Sequence, residues 1–164
     1  MVIDFLSVLN ESNSIKNEST GEITIKSPVL QINDKYQINS SCKITSNCDT
    51  VIKSDFFEIT ASSVSFSNIA FQTSLLIQDS NNITLTNCSI KNAKQSYGAI
   101  TIFNSKDVLL NHVTVTDTID IPGMFIYKNS SVAADHLLIH NITKSFIAIN
   151  SGSFISIKDS TFHH

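Results

Sequence analysis

Three side chains that could bind a metal ion or transfer protons recur at one position of this sequence. His112, His136 and Asp159 lie 24 and 23 residues apart, and Asn68 and Asn87 precede them at the aligned position. On successive turns of a coil, the imidazoles and the carboxylate could approach closely enough to form a metal site or an acid/base group. The alternative is a ladder of stacked polar side chains that satisfies the backbone of a tight corner. Because a straight column supplies neighbours rather than a cage of ligands, we predict the ladder and assign no metal.

A pair of carboxylates is the second candidate for chemistry. Asp117 and Asp120 lie in the segment TDTIDIPG, just before Met124. Paired carboxylates could serve as general acid and base. A solvated loop is the alternative, because Asp is common wherever the backbone bends tightly. We assign no catalytic residue, and Asp117 and Asp120 are the pair to test.

An internal repeat determines which elements must position these residues. Four segments align without gaps from Ile77, Ile102, Ile126 and Ile149, so their starts are 25, 24 and 23 residues apart, and a shorter relative begins at Ile59. Apolar and polar residues alternate within each segment, which is typical of a strand with one buried face. Each repeat therefore predicts three short strands, each with two inward side chains.

The inward positions of successive repeats fall into six columns. They read Val64, Ile83, Val108, Val132, Ile155; Phe66, Leu85, Leu110, Ala134, Ile157; Ile69, Cys88, Val113, Leu137, Ser160; Phe71, Ile90, Val115, Ile139, Phe162; Leu75, Ile100, Met124, Ile147; and Ile77, Ile102, Ile126, Ile149. The repeats lack the Asn-Gly and Asp-Gly pairs typical of two-residue hairpins, and they lack the helix that a βαβ crossover needs. The remaining solution is a coil in which each strand pairs in parallel with its equivalent one turn away: a parallel β-helix.

This repeat resembles the right-handed parallel β-helix of the pectin lyase-like superfamily, well over residues 57–162 and loosely over 22–56. The resemblance implies an all-β, single-stranded right-handed solenoid of about five or six coils of 19–25 residues. We expect one domain over 22–164, open at its C-terminal end, with 1–21 as an N-terminal cap or lead-in segment. The apolar run from Val2 to Leu9 fits either a short amphipathic helix or one more strand.

Enzymes of that superfamily act on acidic polysaccharides, with clustered Asp residues and a nearby Arg or Lys. This sequence departs from that pattern, because it contains no Arg and no Asp-x-Asp pair. The corner column resembles the superfamily's asparagine ladders, with His and Asp substituted. The segment Tyr97-Gly98-Ala99-Ile100 resembles, once, the Gly-Gly-Ala-Ile repeat of chlamydial outer-membrane β-helices. These comparisons favour a non-catalytic, surface or adhesin-like member.

One edge of the predicted coil carries its longer loops, over residues 91–99, 116–123 and 140–146. Repeat proteins place recognition on such loops, whereas neutral drift in loop length is the alternative. The residues we assign to partner binding there are Lys94, Tyr97, Asp120 and Lys144. The C-terminal coil lacks a polar cap, so protein neighbours are expected at that end: the chain's own continuation, other subunits or self-stacking.

The amino-acid composition indicates which classes of partner the chain can bind. The chain has 41% apolar and 15% charged residues, a net charge of -3, no Arg and only four Gly. Nucleic acid is therefore a poor partner, and no apolar run is long enough for membrane insertion. A glycan is a candidate partner, and no cofactor is predicted. With so few Gly, the corners must be turned by Asn, Asp and Ser.

Sequons and cysteines bear on the compartment. Seven Asn-x-Ser/Thr sequons favour an extracellular or cell-surface location: Asn10, Asn17, Asn39, Asn82, Asn87, Asn129 and Asn141. The alternatives are that the sequons occur by chance and that the protein belongs to an intracellular or organellar assembly.

Three cysteines are too few for a disulfide framework. A Cys42–Cys48 bridge is one use of them, and burial as small apolar residues is the commoner one.

The function that we expect is a non-enzymatic β-helical scaffold, or a segment of a larger surface or structural protein, that presents loops or stacks with neighbouring chains. A polysaccharide-active lyase or hydrolase fragment of the same fold is the first alternative. An ice-binding β-solenoid is the second, because Thr84 and Thr86 are followed by Thr114 and Thr116.

Overall fold

Alternating apolar residues form twenty short strands in the computed structural model, which describes residues 1–94 and 97–164. In chain order the strands are β1 Val2–Asp4, β2 Ser14–Lys16, β3 Glu22–Ile25, β4 Val29–Gln31, β5 Lys35–Ile38, β6 Cys42–Lys53, β7 Phe56–Ile59, β8 Val64–Gln72, β9 Leu75–Gln78, β10 Asn81–Thr86, β11 Ser89–Lys91, β12 Ile100–Phe103, β13 Lys106–Asn111, β14 Thr114–Thr118, β15 Met124–Tyr127, β16 Ser131–Asp135, β17 Leu138–Ile142, β18 Ile147–Ile149, β19 Phe154–Lys158 and β20 Thr161–His163. One 3₁₀ helix, Phe5–Val8, accompanies them.

The strands wind into a right-handed parallel solenoid of about six coils, which confirms the predicted fold. Seven strands form one sheet in the order β1-β5-β7-β9-β12-β15-β18, and the other strands form a second sheet. The predicted register is confirmed, since Ile83 pairs with both Val64 and Val108, and Val108 pairs with Val132. Among the described strands, only β2 and β3 pair in antiparallel fashion.

The core lies inside the tube formed by the two sheets. The six columns point into it, and their members are almost fully buried until the last coil. Near the first coil the core is aromatic: Phe5 packs edge-on against Phe57 at 5.1 Å between ring centroids, and Phe66 packs against Phe71 at 5.3 Å. Edge-to-face pairs of this kind add to the stabilisation from burial.

Both predicted alternatives for the N-terminal run occur, in succession. Val2–Asp4 forms β1, which pairs in parallel with β5 and so already belongs to the seven-stranded sheet. The 3₁₀ helix Phe5–Val8 follows, and the Asp4 carboxylate accepts a hydrogen bond from the Leu6 amide at its start. Phe5 is completely buried, so this segment inserts its largest side chain into the end of the tube.

The stretch over 22–56 belongs to the solenoid but has one irregular corner. Within β6 the register with β8 shifts between Thr45 and Thr50. The extra residues are held by hydroxyl groups, with Ser46 Oγ and Thr50 Oγ1 2.7 Å apart. This insertion explains why the alternation is present in the sequence while the repeat is out of step.

The corners are turned by left-handed residues that are mostly Asn and Asp, as the shortage of Gly predicts. Eighteen described non-glycine residues have positive φ, and thirteen of them are Asn or Asp. Only Gly21 and Gly152 do so among the described glycines. Asn and Asp tolerate this region because their short side chains hydrogen-bond to the local backbone.

The paired threonines do not form one flat array: Thr84 lies opposite Leu109 in β13, whereas Thr114 in β14 lies opposite Ser89 and Leu138. The two pairs occupy different sides of the coil, so the expected succession from one repeat to the next is wrong.

In residues 1–94 and 97–164, no helix has the length and apolarity needed to span a bilayer.

Candidate functional site

The predicted corner column lies between the last two strands of each coil. Its five members, Asn68, Asn87, His112, His136 and Asp159, all have left-handed backbone, with φ between 46° and 60°. The amides of Asn87, His112 and His136 donate to carbonyls of the next coil, as in the 2.9 Å bond from the His112 amide to the Asp135 carbonyl. The same backbone geometry therefore recurs from coil to coil at this corner.

The histidine side chains of this column stack as rings. The imidazoles of His112 and His136 are 4.4 Å apart between centroids and nearly parallel, with an interplanar angle of 6°. Each Nδ1 bonds to the residue before it, at 2.7 Å from Asn111 Oδ1 and 2.8 Å from Asp135 Oδ1. These hydrogen bonds join neighbouring residues of the same coil and do not connect one coil to the next. At these two positions the coils are therefore connected by ring stacking instead of a side-chain hydrogen-bond ladder.

One cluster at this corner has the composition of a metal site. Asp135, His136 and Asp159 each place a potential ligand atom within 4.8 Å of the other two. Asp135, which the sequence pattern did not single out, joins two of the three predicted metal candidates. It precedes His136 directly, so pairing each corner residue with the outward residue before it would have identified it.

The structure places Asp117 within β14 and Asp120 at a bend in the loop that follows this strand. Both residues have left-handed backbone, at φ 55° and 62°. Asp117 Oδ1 accepts a 3.2 Å hydrogen bond from Asn141 Nδ2, and the Asp120 amide donates to Thr143 Oγ1 at 2.9 Å. These contacts tie the loop to the next coil.

The C-terminal ends of the three longer loops, within the residues that the structure describes, lie over one another along one edge. The Ala99 amide donates to the Pro122 carbonyl at 2.9 Å, and the Gly123 amide donates to the Ser145 carbonyl at 3.1 Å. Lys94, Asp120 and Lys144 are exposed on these loops. Tyr97 is exposed as well, but its ring contacts a neighbouring sheet rather than the other three side chains.

That contact belongs to an aromatic surface on the outside of the seven-stranded sheet, here called the aromatic face and defined by Tyr97, Phe103, Phe125 and Tyr127. Tyr97 stacks on Phe125 at 5.7 Å between centroids, and Tyr127 lies 4.8 Å from Phe125 and 4.7 Å from Phe103. Lys128 Nζ lies 4.4 Å above the Phe103 ring.

The aromatic face borders an open groove of about 660 Å³. Tyr97 and Tyr127 line this groove together with Asp34, Lys35 and Phe56. Lys35 forms an ion pair with the nearly buried Glu58 and also lies 5.3 Å above the Phe56 ring. Sequence reasoning missed this surface, although the signal was present: three aromatic residues occupy outward positions in consecutive strands of one sheet.

A second missed feature is a column of mostly buried serines at another corner, here called the serine column: Ser80, Ser105, Ser130 and Ser153. Each hydroxyl oxygen from Ser105 onward accepts from the amide of the serine one coil earlier, at 3.0–3.1 Å. The Ser105 hydroxyl also donates to the Phe103 carbonyl at 2.8 Å. This is the hydrogen-bonded ladder that the sequence pattern placed at the His and Asn corner.

The cysteines carry free thiols, so the Cys42–Cys48 bridge does not form in this structure. Burial raises the pKa of the Cys88 thiol to about 11, and burial together with the nearby Asp4 carboxylate raises the pKa of the Cys42 thiol to about 11. Cys88 is an inward member of its column, 2% exposed. It acts there as the small apolar residue that the sequence favoured.

The last coil presents an uncovered edge. β18, β19 and β20 each pair with only one described strand. Phe154, Ile157 and Ile149 are 62%, 41% and 46% exposed, whereas the earlier members of the Ile157 and Ile149 columns are buried.

Comparison with known families agrees with this geometry. A family model described as a right-handed β-helix region matches residues 29–164. The chain belongs to the right-handed β-helix family. No curated protein and no solved structure matches it significantly.

Proposed function

We propose that this β-helix is a non-enzymatic scaffold that presents a recognition surface, and that the aromatic face is that surface. The observation that carries the proposal is the cluster of four rings on the outside of the tube, in which Tyr127 contacts each of the other three and Tyr97 is 68% exposed. Connected apolar surface exposed to water is typical of interaction sites. Tyr side chains are suited to this role because they contribute large contact area and a hydroxyl group.

The surroundings of the acidic pair support a non-enzymatic role. Asp117 and Asp120 have left-handed backbone, and each is joined to the following coil by a hydrogen bond. A double variant, Asp117→Ala with Asp120→Ala, should leave any turnover of uronides or other glycans unchanged. Glycan cleavage by the wild-type protein would refute the proposal, and loss of that cleavage in the double variant would assign it to Asp117 and Asp120.

The aromatic face could bind either a protein or a glycan, and the chemistry of the surface suits a glycan. One face of a sugar ring carries C–H groups and can lie flat on an exposed aromatic ring, while Lys128 lies beside the face for an acidic group. The chain has no Trp and three Tyr, two of which lie on this surface, so intrinsic tyrosine fluorescence reports on binding directly.

The test is a titration of the full chain with soluble neutral and acidic polysaccharides. We expect saturable quenching that is lost in Tyr97→Ala and Tyr127→Ala and retained in Leu109→Ala, an exposed apolar residue on the other sheet. Equal binding by all three variants would refute a role for the aromatic face. Absence of glycan binding by the wild type leaves a protein as the partner, which pull-down with the same three variants tests.

The scaffold role also includes neighbours at the last coil, as the chain's own continuation, another subunit or a second copy. The uncovered edge of β18, β19 and β20 and the exposed Phe154 and Ile157 support this. Light scattering on the isolated polypeptide tests it, because a stable monodisperse monomer would contradict the proposal.

An extracellular or cell-surface location is part of the proposal. The Asn residues of all seven sequons are exposed, as glycan attachment requires. A mass shift on enzymatic deglycosylation of the natural protein is the expected result. A protein carrying none of these glycans would remove this support.

A further inference from the structure

The cluster at the corner of the last two coils combines one imidazole with two carboxylates from separate turns. Asp135 ends β16, His136 follows it directly, and Asp159 follows β19 one coil later. We propose that Asp135, His136 and Asp159 bind a divalent transition-metal ion, for which Zn²⁺ is the probe. This site is separate from the aromatic face, which lies on the other sheet.

The spacing of the ligand atoms fits an ion with little rearrangement. Metal bonds of about 2.1 Å from nitrogen and oxygen place neighbouring ligands roughly 3–4 Å from one another. The three candidate atoms lie within 4.8 Å of one another, and the side chains of His136 and Asp159 are about half exposed and free to adjust. A shift of less than about 1 Å therefore closes the site around an ion.

The backbone and the neighbouring ring already orient the imidazole. Asp135 Oδ1 lies 2.8 Å from His136 Nδ1, and the His112 ring stacks 4.4 Å away on the opposite side from Asp159. His136 and Asp159 share the same left-handed backbone, so their Cα–Cβ bonds leave the corner in similar directions on successive coils. Orientation before binding reduces the entropy that ligand binding must overcome.

The donor set selects the class of ion. Imidazole suits Zn²⁺, Cu²⁺ and Ni²⁺, whereas Ca²⁺ and Mg²⁺ prefer oxygen ligands alone. Two carboxylates balance the charge of a divalent ion. The cation that now lies near the site is Lys158, whose Nζ is 3.4 Å from Asp159 Oδ2 and is solvent-exposed, so it can move away. A bound ion would join the last coil to the one before it.

The test is calorimetric titration of the full chain with Zn²⁺, with His136→Asn and Asp159→Asn as disrupting variants. Asn is the natural residue at the same corner in Asn68 and Asn87, so both substitutions keep a side chain that suits the left-handed backbone. The matched control is His140→Asn, because His140 also stacks on a histidine, His163, at 5.3 Å but lies outside the cluster.

We expect one Zn²⁺ per chain, affinity reduced at least about tenfold in both disrupting variants, and unchanged affinity in His140→Asn. Thermal stability of the wild type should rise with Zn²⁺ but not with Ca²⁺. NMR signals of the His136 ring should shift on addition of the ion while those of His140 do not. No binding, or equal affinity in His136→Asn and the wild type, would overturn the proposal.

Discussion

Substitution of Ser105 by Ala tests whether the serine column holds successive coils together. Ser105 is completely buried, and its hydroxyl oxygen accepts the Ser80 amide at 3.1 Å. The same hydroxyl donates to the Phe103 carbonyl at 2.8 Å. Alanine fits the same space but removes both contacts, so the Ser80 amide loses its acceptor in the interior of the wall.

The cost follows from the unpaired amide. A buried donor without an acceptor destabilises a fold by about 1–3 kcal/mol. For a chain of 164 residues, each 1 kcal/mol lowers the melting temperature by about 2–4 °C. We therefore expect Ser105→Ala to melt about 2–12 °C below the wild type. Ser130→Ala should behave alike, because Ser130 Oγ accepts the Ser105 amide at 3.1 Å.

The assay is urea denaturation followed by circular dichroism, together with thermal melting. Ser156→Ala is the matched control, since Ser156 is exposed on the outer side of β19 and its loss should change stability by less than about 0.5 kcal/mol. If Ser105→Ala and Ser156→Ala are equally stable, the serine column does not stabilise the coil stack and the reasoning fails.

Three further predictions concern the core and the cysteines. Phe66→Ala should lower the free energy of unfolding by about 3–5 kcal/mol in denaturant titration, because Phe66 is fully buried between other rings. The control Phe154→Ala should change it little, because Phe154 is exposed. Equal losses of stability in the two variants would contradict the assigned core. Cys88 should resist alkylation at pH 8 until the protein is unfolded in urea, because the thiolate is the reactive form and the pKa of this thiol is raised to about 11. Rapid labelling of Cys88 in the folded protein would show that it is not an inward residue. The folded thiols of Cys42 and Cys88 keep their protons above the pKa of 9.0 that is ordinary for a cysteine, whereas the unfolded thiols lose them there. Stability should therefore fall between about pH 9 and pH 11, and constant stability of the wild type over that range would contradict their burial.

The core was predictable because burial imposes period two on a strand. Positions such as Ile83 and Val108 had to be apolar to lie inside the tube, so the columns are visible in the alternation alone. The corner column was predictable for a related reason, since a left-handed backbone restricts residue type, and Asn87 and His112 both meet that restriction.

The rest depends on information that alternation does not carry. Period two separates inside from outside but does not say which side of the coil an outward residue occupies, so Thr84 and Thr114 were wrongly placed in succession. The same limit hid the aromatic face, whose members stand at outward positions. The serine column recurs at intervals of 25, 25 and 23 residues, but Ser is so common that its recurrence did not stand out.

Parallel stacking of the coils is the claim on which all the proposed sites depend. Nuclear Overhauser spectroscopy on methyl-labelled protein tests it directly. The structure predicts contacts from Ile83 to Val108 and from Val108 to Val132, together with the backbone pattern of parallel strands. Missing contacts among these three side chains, or close Hα–Hα pairs of antiparallel strands between β10, β13 and β16, would contradict the solenoid.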